Sequence, residues 1–338
     1  MGRLSDSLAA EVIAAEGELK GPSPEAWFAR LDGEEAGLEA ALAASLEHDQ
    51  EQGLRVAAAV WPYWVARGRM DAGRGWLTRL LEASEWGDRT AGRAKALYGA
   101  GTLAFMQGDR ETSLRLHTES LAIARELGDQ GLEADALIGL TRVSVLDSDA
   151  LVMEQHAQAS LKVARAAGDQ QRIAAALHHV VEAIRRQGRY EEAIPLYHES
   201  LDAQRALGDE RGVALELHNL GNVARLTGDT ATAEARLRES LELATRLKSI
   251  RVMGYCLLGL AHIAGESGDW AGASRLLGAS AALFEKSGAT LDPDYVADRD
   301  KTFAAAEAAL GPEPFAAELA AGRSQDPEMT VGEGILPS

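Results

Sequence analysis

The sequence is poor in what a secreted, membrane-spanning, strand-rich or nucleic-acid-binding protein needs. It has one cysteine, Cys256, in 338 residues, so no disulfide can form within the chain and a reducing compartment is the expected setting. Aromatic residues are only 5% of the total, whereas pleated sheets favour aromatic and β-branched side chains. No apolar run approaches the ~20 residues that cross a bilayer. The opening stretch, MGRLSDSLAAEVIAAEGELKG, carries acids throughout and lacks the basic-then-apolar order of a secretion signal. Basic residues are in deficit, with 34 Lys plus Arg against 52 Asp plus Glu and a net charge of −18. That balance repels polyanions, so no direct contact with nucleic acid or a membrane is expected of this chain. A cytoplasmic location is the expectation.

Signs of chemistry are equally scarce. There is no G-x-x-x-x-G-K-[ST], no H-E-x-x-H and no G-x-S-x-G, which leaves no phosphate-cradling loop, zinc helix or nucleophile elbow. Cys256 has no second thiol to share a zinc ion and lies beside Leu257 and Leu258, as a buried inert thiol does. His178 and His179 are adjacent, so on a helix they point in different directions. No catalytic residue, metal site or cofactor is expected, and the chain does not read as an enzyme.

What the sequence does have is small apolar residues, with hydrophobic types at 46% and alanine prominent, and a strict period. Gly68, Gly108, Gly188, Gly228 and Gly268 recur on a step of 40 residues, with Ser148 in the one degenerate copy. Asp109, Asp149, Asp229 and Asp269 follow most of them, and Gly128-Asp129, Gly168-Asp169 and Gly208-Asp209 lie halfway between. Leu97, Leu137, Leu177, Leu217 and Leu257 share one slot, and Ser120, Ser160, Ser200, Ser240 and Ser280 another. Within each unit the apolar residues fall at i, i+3, i+4 and i+7, as in Leu217, Leu220, Gly221 and Ala224. That is one buried helix stripe. Gly ends such a helix because it takes the left-handed conformation without steric cost, and Asp caps the next. Each unit is therefore a helix pair, A then B, that must stack on its neighbours to bury its apolar face. The third unit, with Ser148 at the turn and Met153 in a small-residue slot, predicts an altered turn or a local change of curvature. Pro62, inside the first A helix, predicts a kink.

These residues resemble the tetratricopeptide repeat. The small residues Gly101, Ala104, Gly221, Ala224, Ala261 and Ala264 match its helix A, and Ala193, Ala233 and Ala273 its helix B. The usual unit is ~34 residues; the longer one here is similar to those of kinesin light chains and large bacterial regulators. The resemblance implies an all-α fold, a right-handed α-solenoid of about six extended hairpins over residues 51–290. Residues 1–50 and 291–323 would be capping helices, and 324–338 a disordered tail. At the N-terminal end, amphipathic helices over 4–19 and 33–47 are joined by GPSPEAWFARLDG, whose Trp27, Phe28 and Leu31 cover the first repeat. WFARLDGEEAGLEAAL followed by WPYWVARGRMDAGRGWLTRLL resembles the segment leading into the C-terminal repeat sensor of AfsR- and LuxR-like ATP-dependent transcriptional regulators.

Residues at i, i+4 and i+7 of helix A lie about a quarter-turn from the buried stripe. They are His178, Glu182 and Arg185 in the fourth unit and His218, Asn222 and Arg225 in the fifth, with Asn219 beside them. Arg142 continues the row in the third unit and His262 in the sixth, while the first three units place Ala58, Pro62, Val65, Tyr98, Thr102, Phe105 and Ile138 there. The resemblance implies that this row lines the concave face, apolar and aromatic at its N-terminal end and polar at its C-terminal end. Such a trough suits a peptide or protein segment, or a small effector, in transcriptional or signalling regulation. A solvated helix face, and an assembly scaffold acting through self-association as a homodimer or through its convex face, are the alternatives.

Overall fold

The structure, a computed structural model, describes residues 2–21, 24–84, 89–287, 291 and 293–324; the segment expected to form a tail after Ser324 lies outside them. All regular structure among the described residues is helical. The chain clusters into two units, residues 1–187 and 188–338.

Unit one runs α1 (Gly2–Ala14), α2 (Glu16–Leu19), α3 (Glu25–Gly33), α4 (Glu35–His48), α5 (Gln50–Ala66), α6 (Met70–Ala83), α7 (Ala91–Met106), α8 (Arg110–Leu127), α9 (Gln130–Leu146), α10 (Ala150–Ala167) and α11 (Gln170–Arg186). From α5 onward the odd-numbered helices are A and the even-numbered are B. The expected joining segment contains a helix of its own, α3. Its Phe28 and Leu31 are buried in one core with Val12, Leu42, Leu54 and Tyr63, and Trp27 packs half-buried at the edge. The Phe28 and Tyr63 rings lie 5.9 Å apart, and Arg67 pairs with Asp32 at 2.7 Å. Helix α5 runs on through Pro62.

Unit two holds α12 (Tyr190–Leu207), α13 (Glu210–Leu226), α14 (Thr230–Arg246), α15 (Ile250–Glu266), α16 (Trp270–Ser287), α17 (Pro293–Leu310) and α18 (Pro312–Ser324). Helices α13 and α14 pair as a hairpin, as do α15 and α16.

The aligned serines explain why the hairpins repeat. Ser120 Oγ donates to Ala94 O at 2.8 Å, Ser160 to Ala134 at 2.9 Å, Ser240 to Ala214 at 2.6 Å and Ser280 to Gly254 at 2.9 Å. Each partner lies 26 residues earlier, so one buried hydroxyl of helix B fixes the height and rotation of its own helix A. Ser200 is turned to another partner, Glu216 Oε1 at 2.9 Å.

The turns match expectation with one correction. The turn glycines take φ of 66° to 89°, and Asp109, Asp129, Asp149, Asp169 and Asp229 each accept the backbone N–H three residues on. Ser148 makes the same turn without glycine, at φ 54°. Its N–H reaches Val145 O and that of Asp149 reaches Ser144 O, both at 3.1 Å, as Gly108 and Asp109 reach Phe105 and Ala104. The left-handed conformation costs an L-residue roughly 1–2 kcal/mol, which those bonds and the Asp149 cap offset. The altered turn expected in the third repeat is therefore absent. Met153 is buried there, and Ala157, a turn later, takes the slot that is large in other repeats (Tyr197, Leu237, Leu277). Large and small residues have traded places, which conserves volume. Lys248 adopts φ 54° in the slot of Gly208.

The last two helices depart from the pattern. A Cβ on Gly278 would lie 2.1 Å from Leu319 O, and one on Gly322 1.9 Å from Arg275 O. Only glycine allows the α16 and α18 backbones to touch in this way. With α18 seated on α16, α17 lies along α15 and bonds to side chains of α13.

Two outcomes are expected. Replacing Ser160 by Ala removes a buried bond worth about 1 kcal/mol, and thermal denaturation should show a melting point a few degrees lower. Gly322→Val should release α18, read as faster amide exchange in residues 312–324 while α13 and α14 stay protected.

Candidate functional site

In unit one the helix-A row gathers around Arg142 on α9. Its Nη1 donates to Tyr98 OH on α7 at 3.4 Å, a long bond. The Tyr98 ring meets Trp61 of α5 edge-on at 6.2 Å and lies 5.5 Å from the His117 ring of α8. His117 has no exposed surface, and neither ring nitrogen has a hydrogen-bond partner. It occupies the slot of Leu237 and Leu277, and Gly101 and Gly139 leave it room, since a Cβ on Gly139 would come within 2.3 Å of the ring. Burial, with the Arg142 charge second, holds its pKa down to about 3, so the ring is neutral at pH 7. Sequence reasoning passed over His117; the available signal was a polar residue in a slot that is apolar elsewhere.

On α11 the His178 and His179 rings stack edge to face at 5.2 Å. Burial, then the charges of His178 and Arg142, hold His179 well below its ordinary value. Glu182 accepts from Arg185 at 2.5 Å and Arg186 at 3.0 Å. Burial works against its charge, but the Arg185 bond and the nearby cations outweigh it and lower its pKa. Glu182 and Arg185 thus neutralise each other. Thr102 and Ile138 are buried, while Tyr98, Arg142, His178 and Glu182 are half-buried.

In unit two the equivalent row is occupied by the chain itself. His218, Asn219 and Asn222 are buried, and the Arg225 side chain is only 6% exposed. What covers them is α17, which presents Tyr295, Asp298 and Thr302, at i, i+3 and i+7, on one face. Asn222 Nδ2 donates to Tyr295 OH at 3.4 Å, and Arg225 donates to the Asp298 carboxylate and, at 2.9 Å, to Asn222 Oδ1. His262 Nδ1 meets Thr302 Oγ1 at 3.1 Å, and its Nε2 lies 3.2 Å from Glu266. The His218 ring packs against Tyr255 and Tyr295 at 5.5 and 5.7 Å, and its Nδ1 is 3.1 Å from Asn219 Oδ1. The cavity these residues leave is about 10 Å³, the room of one water. The expected polar trough at the C-terminal end is therefore filled from within. Nothing in the α17 sequence alone announced this, because its contacts reach 40 to 73 residues back along the chain.

Cys256 is buried, and burial pushes its thiol up to about 12, far from a reactive thiolate. Among the described residues no three His, Cys, Asp or Glu come together as a metal site, and no helix is long and apolar enough to cross a membrane.

Residues 172–246 match the family model of the tetratricopeptide repeat, and the described hairpins on either side of that stretch repeat the same helix pair. No curated protein matches its sequence. Solved structures do match in fold. A Rap protein complexed with competence and sporulation factor is 15% identical, with 97% of this chain and 96% of that one covered and a TM-score of 0.61. The apo quorum sensor NprR from B. thuringiensis is 17% identical over 94% and 79%, at 0.56. A signal-transduction ATPase with numerous domains and a tetratricopeptide repeat sensor, from Pyrococcus horikoshii, is 15% identical over 94% and 46%, at 0.62. This chain thus spans under half of that ATPase. At such identities the likeness is one of fold.

The geometry of His117 sets a pH dependence. The unfolded chain binds a proton at this residue below pH 6.5 that the folded chain refuses until about pH 3, so stability drains as pH falls through that window. His117→Leu should raise the melting temperature at pH 7, by removing unpaired buried nitrogens. It should also flatten the decline between pH 6.5 and 4, measured by calorimetry; an unchanged slope contradicts this.

Proposed function

We propose that the chain is a non-enzymatic binding module whose helix-A row in unit one holds an extended peptide or protein segment. Residues 1–50 and 291–323 act as caps, and the module serves transcriptional or signalling regulation in the cytoplasm. The observation that carries this reading is the contrast between the two rows. Tyr98, Arg142 and His178 remain half-exposed on α7, α9 and α11, whereas His218, Asn222, Arg225 and His262 are engaged by α17. A tetratricopeptide fold is typically a scaffold for binding rather than for catalysis, and a row of aromatic, cationic and amide side chains is what a main chain and its side groups need. The match to a Rap protein solved with a factor bound, and to a quorum sensor, supports a regulatory role. The match to an ATPase carrying such a sensor supports partnership with a nucleotide-driven switch.

Selection of a random dodecapeptide display library on the full chain should enrich a shared sequence. Tyr98→Ala should lose that enrichment at least tenfold, while His262→Ala should keep it, with circular dichroism confirming that both are folded. No enrichment by the wild type, or equal loss in the two variants, contradicts the reading. An assembly scaffold would give no enrichment and a larger mass by light scattering.

A further inference from the structure

Helices α17 and α18 are joined at the Gly311 turn but anchored to different partners. Through Tyr295, Asp298 and Thr302, α17 is bonded to α13 and α15. Through the backbone contacts at Gly278 and Gly322, α18 lies against α16. Near the turn the two helices meet, where the Phe303 and Phe315 rings pack edge to face at 4.5 Å. Further from the turn each anchor holds its helix away from the other, and a cleft of about 550 Å³ opens between them over α16.

The walls of this cleft are Leu258 of α15, Leu277 and Phe284 of α16, Phe303 of α17 and Leu319 of α18. Phe303 is 36% exposed, one of the few large apolar side chains left open among the described residues. Sites for small organic molecules span roughly 300–1,000 Å³ and are lined mainly by apolar and aromatic groups. A dry cavity of about 150 Å³ holds one benzene, so this cleft has room for two or three rings or a chain of similar volume. Its polar groups are already engaged. Ser280 Oγ donates to Gly254 O at 2.9 Å. Charges stand at the mouth in opposed pairs: Arg323 donates to both Glu285 oxygens at 2.9 and 3.1 Å, and Arg299 to Asp300 Oδ1 at 2.7 and 2.8 Å. An ion of either sign entering here would give up water beside a like charge with no free partner in exchange. An uncharged molecule would not.

We propose that the cleft between α17 and α18 is a binding site for an uncharged, largely apolar small molecule. The site is separate from the helix-A row of unit one and independent of the peptide reading. An occupant fills the gap that the two anchors leave, ties α17 to α18, and so holds α17 more firmly over the row in unit two.

The test titrates the full chain into Nile red, an uncharged dye that brightens on leaving water. Binding should saturate at one dye per chain. Decanol, decanoate and decylammonium share a chain and differ in head charge; decanol should displace the dye at least threefold better than either ion. Saturation with decanol should raise the melting temperature and slow amide exchange in residues 293–324, with α7 and α9 unchanged. Ala281→Trp fills the cleft from α16 and should abolish dye binding. Phe303→Ser removes one wall at an exposed position and should weaken binding at least fivefold, so either variant decides if the other fails to fold. Leu151→Ser, which removes a leucine 63% exposed on α10, should bind as wild type. No saturable binding, wild-type binding by the folded cleft variants, equal loss in Leu151→Ser, or better displacement by either ion overturns the proposal. So does a chain that is dimeric by light scattering and dissociates as the dye binds, since Phe303 would then face a second copy.

Discussion

A buried serine hydroxyl on helix B, donating to a main-chain carbonyl of its helix A partner, is the contact on which the architecture turns. It appears at Ser120, Ser160, Ser240 and Ser280. Alanine-rich seams alone let two helices slide and rotate, because small apolar surfaces pack in many registers. One directional bond in each of these four hairpins, made where no water can replace it, selects a single register. The rotation of each A helix follows from that, and so does the alignment of its i, i+4 and i+7 positions with those of the next. A continuous helix-A row exists only because the hairpins are indexed.

The same indexing gives the two units different fates. In unit two, Gly278 and Gly322 let α18 sit directly on α16. Helix α17 then lies over the row and answers it group by group, phenol to amide, carboxylate to guanidinium, hydroxyl to imidazole. Among the described residues unit one has no such answer at Arg142, and stability is lost there to a histidine in a leucine slot and an indole N–H with no acceptor. Residues that break a local rule without a compensating bond are where function is to be sought.

The repeat, its length, the hairpin order and the capping aspartates were legible in the sequence because each depends on neighbours in the chain. The serine slot was visible as an alignment, and its meaning needed the partner 26 residues away. The turn at Ser148 was misread because glycine is the common solution and not the required one; a strained φ of 54° is affordable when two main-chain bonds and a cap hold it. The helix α3 was missed because its apolar residues were too few to show a period over nine positions. At the site, the row itself was legible from helical spacing, including Tyr98, Arg142 and His178. That His218, Asn219, Asn222, Arg225 and His262 are enclosed was not, because enclosure by Tyr295, Asp298 and Thr302 is a long-range pairing with no local signature. His117 was equally silent until the rings around it were placed.

Amide hydrogen exchange on the full chain, free and saturated with a peptide selected against it, bears most directly on the claim that unit one offers its helix-A row while unit two has closed its own. Slowed exchange in α7, α9 and α11, with α13, α15 and α17 unchanged, is the predicted result. Faster exchange in α17 together with new protection in α13 would mean that the guest displaces the C-terminal helix, and would contradict the account.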